Sequence, residues 1–395
     1  QRLLIAPAAL GLISPLAANA TEINLNEIEN YSNSESIEFV NSFDDNDLNK
    51  TPLLAGGEGL VDTDSYDGGF SETTTASFSA DFAIGAVDGK DVTTTVTDGD
   101  ETLQATYGFQ IDLSTSFTGE DSLDISLDAG NANGALSEFD LNGPASTSTA
   151  GTTVSDALTV DGVSYTFPLG DSTTVIVGDN TDGSALFTTA CAYGTPSDTF
   201  DACGTPSSAF AGLGNAFAAV SYDFGNGWSV AGGYEGEGDN ADGLMTKEGA
   251  DAFGANVAYI ADTYGISLNT AVIEDTNGVN DTYNGMNVFW TPDGFPTISA
   301  GYEYGDVGSA AANVDGRSSY MIGLDFADVG PGTLGIAGGT KTATVEGSED
   351  LMMYEAYYKY PVNDSMTVTP YAYIKEFAAG TEDETGLMVL TTFSF

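Results

Sequence analysis

From residue 73 to the end, the chain is built of short segments in which apolar and polar residues alternate, and this period of two constrains the fold more than any other feature. In 101–117 the odd positions Leu103, Ala105, Tyr107, Phe109, Ile111 and Leu113 are apolar, and Gln104, Thr106, Gln110, Asp112 and Ser114 between them are polar. Tyr320, Ile322, Leu324 and Phe326 alternate in the same way with Ser319, Met321, Gly323 and Asp325. Ile298, Ala300, Tyr302 and Tyr304 interleave with Thr297, Ser299, Gly301 and Glu303. Side chains alternate across a strand, so each segment presents one apolar and one polar face. A helical bundle would show a period of 3.6 instead.

About sixteen such segments can be placed, an even number within the range of bacterial barrels. They lie near 73–85, 101–117, 122–130, 155–167, 172–178, 213–224, 228–235, 251–261, 264–273, 282–291, 295–304, 318–326, 333–341, 351–360, 366–376 and 386–395. The joints alternate in length. Tight turns are read at Gly119, Glu120 and Asp121, at 168–171, at Gly225, Asn226 and Gly227, at Asp262 and Thr263, at Pro292, Asp293 and Gly294, at 328–332 and at 361–365. Long acidic joints fall between them, at 86–100, 131–154, 179–212, 236–250, 274–281, 305–317, 342–350 and 377–384. A barrel with one trimmed rim produces that alternation. Aromatics gather at the tight-turn ends: Phe117, Tyr222, Phe224, Trp228, Tyr264, Trp290, Phe295, Phe326, Tyr358 and Tyr360. Amphipathic rings favour the headgroup level, so this reads as one girdle of a membrane barrel. The last segment carries Leu387, Val389, Phe393 and Phe395 on one face and ends on an aromatic, as a closing outer-membrane strand does. The expected fold is all-β, a transmembrane antiparallel up-and-down β-barrel of about sixteen strands.

Residues 1–20 are set apart from that fold. Arg2 precedes an apolar stretch over 3–16, and Ala18, Asn19 and Ala20 supply the small residues of a cleavage site. The segment reads as a secretory signal lacking its first residues, with a mature chain from Thr21. Residues 21–70 form an acidic, polar segment or linker, and 71–395 the barrel. No later run approaches the roughly 20 apolar residues of a spanning helix.

Charge narrows the function. There are 8 basic residues against 59 acidic, a net charge of -51, and no His. Nucleic acid and anionic lipid surfaces are poor partners for such a chain, and small cations are its natural counterpart. Without His, Ser-His and Cys-His catalysis and most zinc chemistry are removed, so no enzymatic activity is expected. Cys191 and Cys203, in a segment rich in Gly, Ser, Thr and Pro, read as a disulfide closing a loop of an exported protein. Two acidic clusters, Asp179, Asn180, Asp182 and Gly183, and Asp239, Asn240, Asp242 and Gly243, invite a calcium reading. Neither has the downstream Glu of an EF-hand, acidic turns explain them equally well, and no resident cofactor is expected.

The leader LLIAPAALGLISPLAANA followed by EINLNEIENYS resembles cyanobacterial outer-membrane porins, especially those of marine picocyanobacteria. SFTGEDSLDISLDAGNA, VSYTFPLGDSTTVIVGD, SYDFGNGWSVAGGYEGEG and the closing TTFSF extend the resemblance over most of the chain. Larger members carry an S-layer homology domain where this chain has only residues 21–70, so wall anchoring is not carried over. The family, grouped with carbohydrate-selective porins, implies a trimeric channel in the outer membrane for passive diffusion of small hydrophilic solutes. In general porins the third outer loop folds into the lumen. By strand order that loop is here 179–212, with Asp179, Asp182, Asp198 and Asp201 as constriction residues. A rigid external cap explains its clasp as well.

Face assignment places Asp81, Asp112, Asp124, Asp128, Asp223, Glu303, Asp325 and Glu355 in the lumen, against Lys359 and Lys375. An acidic wall enriches cations and repels anions, so cation preference is expected. The arginine ladder of general porins is missing, since Arg2 and Arg317 are the only arginines. The rival reading is a secreted structural or adhesive β-protein acting through its acidic loops.

Overall fold

The computed structural model describes residues 74–89, 102–131, 136, 138–139, 141, 156–209, 216–238, 243–246, 249–274, 279–308, 316–345, 347–377 and 382–395. Residues 1–20, expected as a leader, and the segment 21–70 lie outside the described residues.

Among the described residues seventeen strands form one sheet, sixteen of them long and one, β14, of two residues. They are β1 Thr74–Asp88, β2 Gln104–Thr115, β3 Ser122–Gly130, β4 Thr159–Pro168, β5 Thr173–Asp179, β6 Ala216–Gly225, β7 Trp228–Gly236 and β8 Asp251–Ile260. Then come β9 Tyr264–Glu274, β10 Asn280–Trp290, β11 Thr297–Val307, β12 Gly316–Val329, β13 Gly332–Thr340, β14 Thr344–Val345, β15 Met352–Asn363, β16 Met366–Lys375 and β17 Glu384–Ser394. Each long strand is antiparallel to the next, and β1 pairs with both β2 and β17, so the sheet closes on itself. The result is a closed sixteen-strand antiparallel barrel, as the alternation predicts. The seam is finished by Phe395, whose amide and carbonyl exchange hydrogen bonds of 3.0 and 2.8 Å with Phe78.

The two faces are sorted as the sequence pattern requires. Phe82, Ile84, Ile266, Leu268, Met286, Tyr302, Ile322, Ile336, Tyr354, Ile374 and Leu387 are exposed on the outside. Inside, Asn256, Ser267, Asn269, Asn287, Ser299, Glu303, Glu355 and Thr369 are buried. A polar interior behind an exposed apolar exterior is the reverse of a water-soluble domain, and an apolar medium around the barrel satisfies it. Among the described residues no helix is long and apolar enough to cross a membrane, so any crossing belongs to the strands.

The expected segments differ from the strands mainly at their ends. The segment expected over 318–326 extends to Val329 because the β12 to β13 register shifts after Phe326, and Asp328 takes a left-handed φ of 57°. Such a bulge breaks the period of two and hides the strand end from pattern reading. In the β6 to β7 turn Gly225, Asn226 and Gly227 all have positive φ, and a Cβ on Gly227 would lie 2.2 Å from the Ile260 carbonyl oxygen.

The β2 to β3 turn is organised by Asp121. Its Oδ1 accepts the Phe117 and Thr118 amides at 3.0 and 2.8 Å and the Ser116 and Thr118 hydroxyls at 2.8 Å each. Its Oδ2 accepts the Tyr165 hydroxyl of β4 at 2.6 Å. These donors, Tyr165 foremost, hold its carboxyl well below the usual carboxylate range. A depressed pKa stabilises the fold above the unfolded value of about 4, and that contribution is lost as pH falls through the folded value. Asp121→Asn should therefore lower urea resistance of the detergent-folded barrel at neutral pH and flatten its loss between pH 4 and lower pH. An unchanged pH profile would remove Asp121 from this role.

Candidate functional site

The joint between β5 and β6 turns inward and lies along the inner wall. Its outgoing arm donates alternate amides to side chains of β8, β9, β11 and β12 in order, which marks an extended segment crossing the staves. Thr188 N–H bonds Asn256 Oδ1 of β8 at 3.0 Å, Ala190 N–H bonds Ser267 Oγ of β9 at 2.9 Å, and Ala192 N–H bonds Ser299 Oγ of β11 at 3.1 Å. Gly194 N–H reaches Asp325 Oδ2 of β12 at 3.1 Å, and the Tyr193 hydroxyl donates to Glu355 Oε1 of β15 at 2.9 Å. At the base of the arm, Gly183 N–H donates to Glu235 Oε2 of β7 at 2.9 Å.

The return arm docks beside it. Asn287 Nδ2 of β10 donates to the Ala202 carbonyl at 2.9 Å, Ser319 Oγ of β12 to the Gly204 carbonyl at 3.0 Å, and Ser208 N–H to Glu303 Oε2 of β11 at 2.5 Å. Cys191 of the outgoing arm and Cys203 of the return arm form a disulfide with a Cα separation of 5.8 Å. The return arm makes its bend with Ala202, Cys203 and Gly204 all at positive φ.

Three inward glycines form the seat. A Cβ on Gly301 would lie 2.0 Å from the Cys203 carbonyl oxygen, one on Gly285 2.0 Å from Ser208 Oγ, and one on Gly323 2.5 Å from the Tyr193 ring. Glycine inside a strand marks close approach of another group, and here that is the loop, its backbone at Gly301 and its side chains at Gly285 and Gly323.

A second inward segment braces the tip. Leu136, Phe139 and Leu141, from the joint between β3 and β4, are buried with Tyr371, Tyr373 and Met388 of the wall. Phe139 bridges Ser197, the Asp198 amide donates to the Glu138 carbonyl at 3.0 Å, and Glu138 forms an ion pair with Lys375. Sequence reading takes this joint as an outer loop. The signal that could have found it is the apolar spacing of Leu136, Phe139 and Leu141 in a polar stretch.

Every residue expected in the lumen lies on an inward strand position, but the group divides. Asp112 of β2 and Asp124 of β3 stand half-buried on a wall that the described loop contacts do not reach; Ser126 donates to Asp112 at 2.6 Å and Ser122 to Asp124 at 2.7 Å. Asp128 is buried and accepts the Thr159 hydroxyl at 2.7 Å. Glu303, Asp325 and Glu355 require a correction. They face inward but are 2%, 9% and 5% exposed, covered by the loop whose donors they accept, so they bind the loop rather than line open water. Tyr357 and Tyr371 supply further hydroxyl donors to Asp325 and Glu355. Asp223 is also displaced from a lumen role, because it caps the β6 to β7 turn through the Gly225 amide at 2.7 Å. Asp81 is buried in β1. Lys359 sits with its ammonium 5.6 Å from the Tyr357 ring centroid, and Lys375 is engaged by Glu138.

Of the expected constriction residues, Asp179 ends β5, exposed, and Asp182 follows it half-buried. Asp198 and Asp201 are exposed at the loop tip, with Asp201 Oδ1 accepting the Ala202 amide at 2.8 Å. Burial beside the Glu355 carboxylate pushes the Tyr193 phenol far above its ordinary value, so it remains a donor. Among the described residues no three acidic or cysteine side chains converge as metal ligands, and most of the second acidic cluster, 239–242, lies outside them.

No protein-family profile matches the chain, and no curated protein matches it in sequence. Its shape has matches among solved structures. A mutant of the Rh. blastica porin is 15% identical, with a TM-score of 0.51, over 82% of this chain and 100% of that one. A second mutant of that porin is 16% identical, with the same TM-score and coverage. OprB of Pseudomonas putida is 12% identical, with a TM-score of 0.55, over 82% of this chain and 94% of its own. At such identities the likeness is one of fold.

Proposed function

We propose that the chain is an outer-membrane channel for passive diffusion of small hydrophilic solutes and ions, with a preference for cations. The observation that carries the reading is a polar-lined barrel with an apolar exterior, crossed inside by a clasped loop that docks on β7 to β15 and leaves the wall of β2 and β3 free of described loop contacts. On this reading the loop narrows the water path and leaves the β2 and β3 side of it open. The exposed apolar exterior also argues against the secreted adhesive reading, which needs water-compatible outer faces. Placement in the membrane of a cyanobacterium and assembly as a homotrimer follow from the resemblance in leader and barrel segments alone.

Cation preference is drawn from the distribution of charge along the path. Asp112 and Asp124 stand on the uncovered wall, and Asp198 and Asp201 are exposed on the loop tip. Lys375, by contrast, is already paired with Glu138. Carboxylates on both sides of a narrow path raise the local cation concentration over a screening length of about 8–10 Å. In a planar bilayer under a salt gradient the reversal potential should report cations as the main carriers. Replacing Asp112 and Asp124 together by Asn should lower the cation-to-anion permeability ratio at least about two-fold, more at low salt than at high. Anion preference in the unmodified protein would overturn the charge argument and keep the channel; no steps from folded protein would overturn the channel.

A further inference from the structure

One carboxylate in the wall has no described use. Asp81 of β1 is more than nine-tenths buried, and its Oδ1 has no hydrogen-bond partner among the described residues. Thr392 of β17, its hydrogen-bonding neighbour, stands directly opposite in the ladder. On the other side Asp81 pairs with Gly108 of β2, which has no side chain, and Gly108 in turn pairs with Gly130 of β3. One step along β2 on the same inward face is Thr106, which pairs with Ala83 and whose Oγ1 is likewise buried without a partner. Two orphaned oxygens, one charged, thus stand diagonally across β1 and β2, next to two positions that leave room. The backbones of diagonal positions lie about 7–8 Å apart and their Cβ atoms closer, near enough for two inward side-chain oxygens to share one ion.

Among the described residues its ladder neighbours include no positive side chain to balance the charge. The inward neighbours are Ser79 and Ala83 on β1, Thr106, Gly108 and Gln110 on β2, and Leu390, Thr392 and Ser394 on β17. A buried carboxylate without a cationic partner is costly unless something neutralises it. Oxygen donors alone suit a hard cation. A single carboxylate with neutral hydroxyls matches a singly charged ion, because divalent sites recruit more carboxylates.

We propose that Asp81, Thr106 and Thr392 form an alkali-cation site in the inner wall, with Asp81 Oδ1 and Thr106 Oγ1 as direct ligands and water completing the shell. The site deepens the cation-channel reading, since it would hold a cation of the class the path admits.

The test is anomalous diffraction from crystals of the detergent-folded protein grown in rubidium chloride, which needs no channel activity and so separates this proposal from the one above. A rubidium peak within ligand distance of Asp81 and Thr106 is expected in the unmodified protein. It should vanish in Asp81→Asn and fall at least two-fold in occupancy in Thr106→Val, which keeps the charge. Asp112→Asn, which removes a wall charge elsewhere, should leave it in place. No peak beside Asp81, a water there instead, or a peak that survives in Asp81→Asn would each overturn the site.

Discussion

Gly301→Val should detach the inner loop while leaving the barrel intact, and single-channel conductance should change at least about two-fold with added current noise. The argument rests on which side can yield. A Cβ at position 301 would stand 2.0 Å from the Cys203 carbonyl oxygen and 3.0 Å from its carbon, both backbone atoms that no rotamer change can move. β11 is fixed by ladders to β10 and β12 on either side, so the loop must lift. Lifting it breaks the Asn287 bond to the Ala202 carbonyl, the Ser319 bond to the Gly204 carbonyl and the Ser208 bond to Glu303. At roughly 1 kcal/mol for each hydrogen bond and about 1–3 kcal/mol for overpacking, loop docking loses several kcal/mol, enough to populate the undocked form. Gly323→Ala provides the comparison. There the obstacle is the Tyr193 ring, a side chain that can rotate, so the effect should be smaller. If Gly301→Val conducts as the unmodified protein does and its loop resists protease equally, the seat does not control the path.

The barrel was legible because its cause is repeated. Each strand must show apolar groups to one medium and polar groups to another, and that requirement writes the same period of two sixteen times. The site is a single event with no repeat to average over. Alternation places Glu303, Asp325 and Glu355 on the inner face, yet nothing in their own segments says that a loop 95 to 162 residues earlier will cover them. Their partners are amides of Gly194 and Ser208 and a tyrosine hydroxyl, and a donating amide is carried by every residue but proline, so it leaves no mark on composition. Gly285, Gly301 and Gly323 did carry a mark, since glycine in a strand interior signals close approach. In a chain with 49 glycines that mark is diluted until the approaching backbone is seen.

The Cys191 and Cys203 pair should govern the loop and not the barrel. The two sulfurs join the arms midway along their anchors: Cys191 lies between the docked amides of Ala190 and Ala192, and Cys203 between the docked carbonyls of Ala202 and Gly204. With a sequence separation of 12, closing this ring restricts the undocked loop by about 3 kcal/mol on the chain-entropy view. The bond therefore acts on the loop's own docking equilibrium. The sixteen-stave ladder closes between β1 and β17 without it. Replacing both cysteines by Ser should accelerate hydrogen exchange at the amides of residues 190, 192 and 194 by about a hundred-fold, while amides in β1 and β17 keep their protection. Conductance should fluctuate between the docked level and a second level, and reduction of the unmodified protein by a dithiol should reproduce it. Uniform loss of protection through the barrel would make the disulfide a global staple. Unchanged exchange at the three amides would mean that the wall hydrogen bonds alone hold the loop.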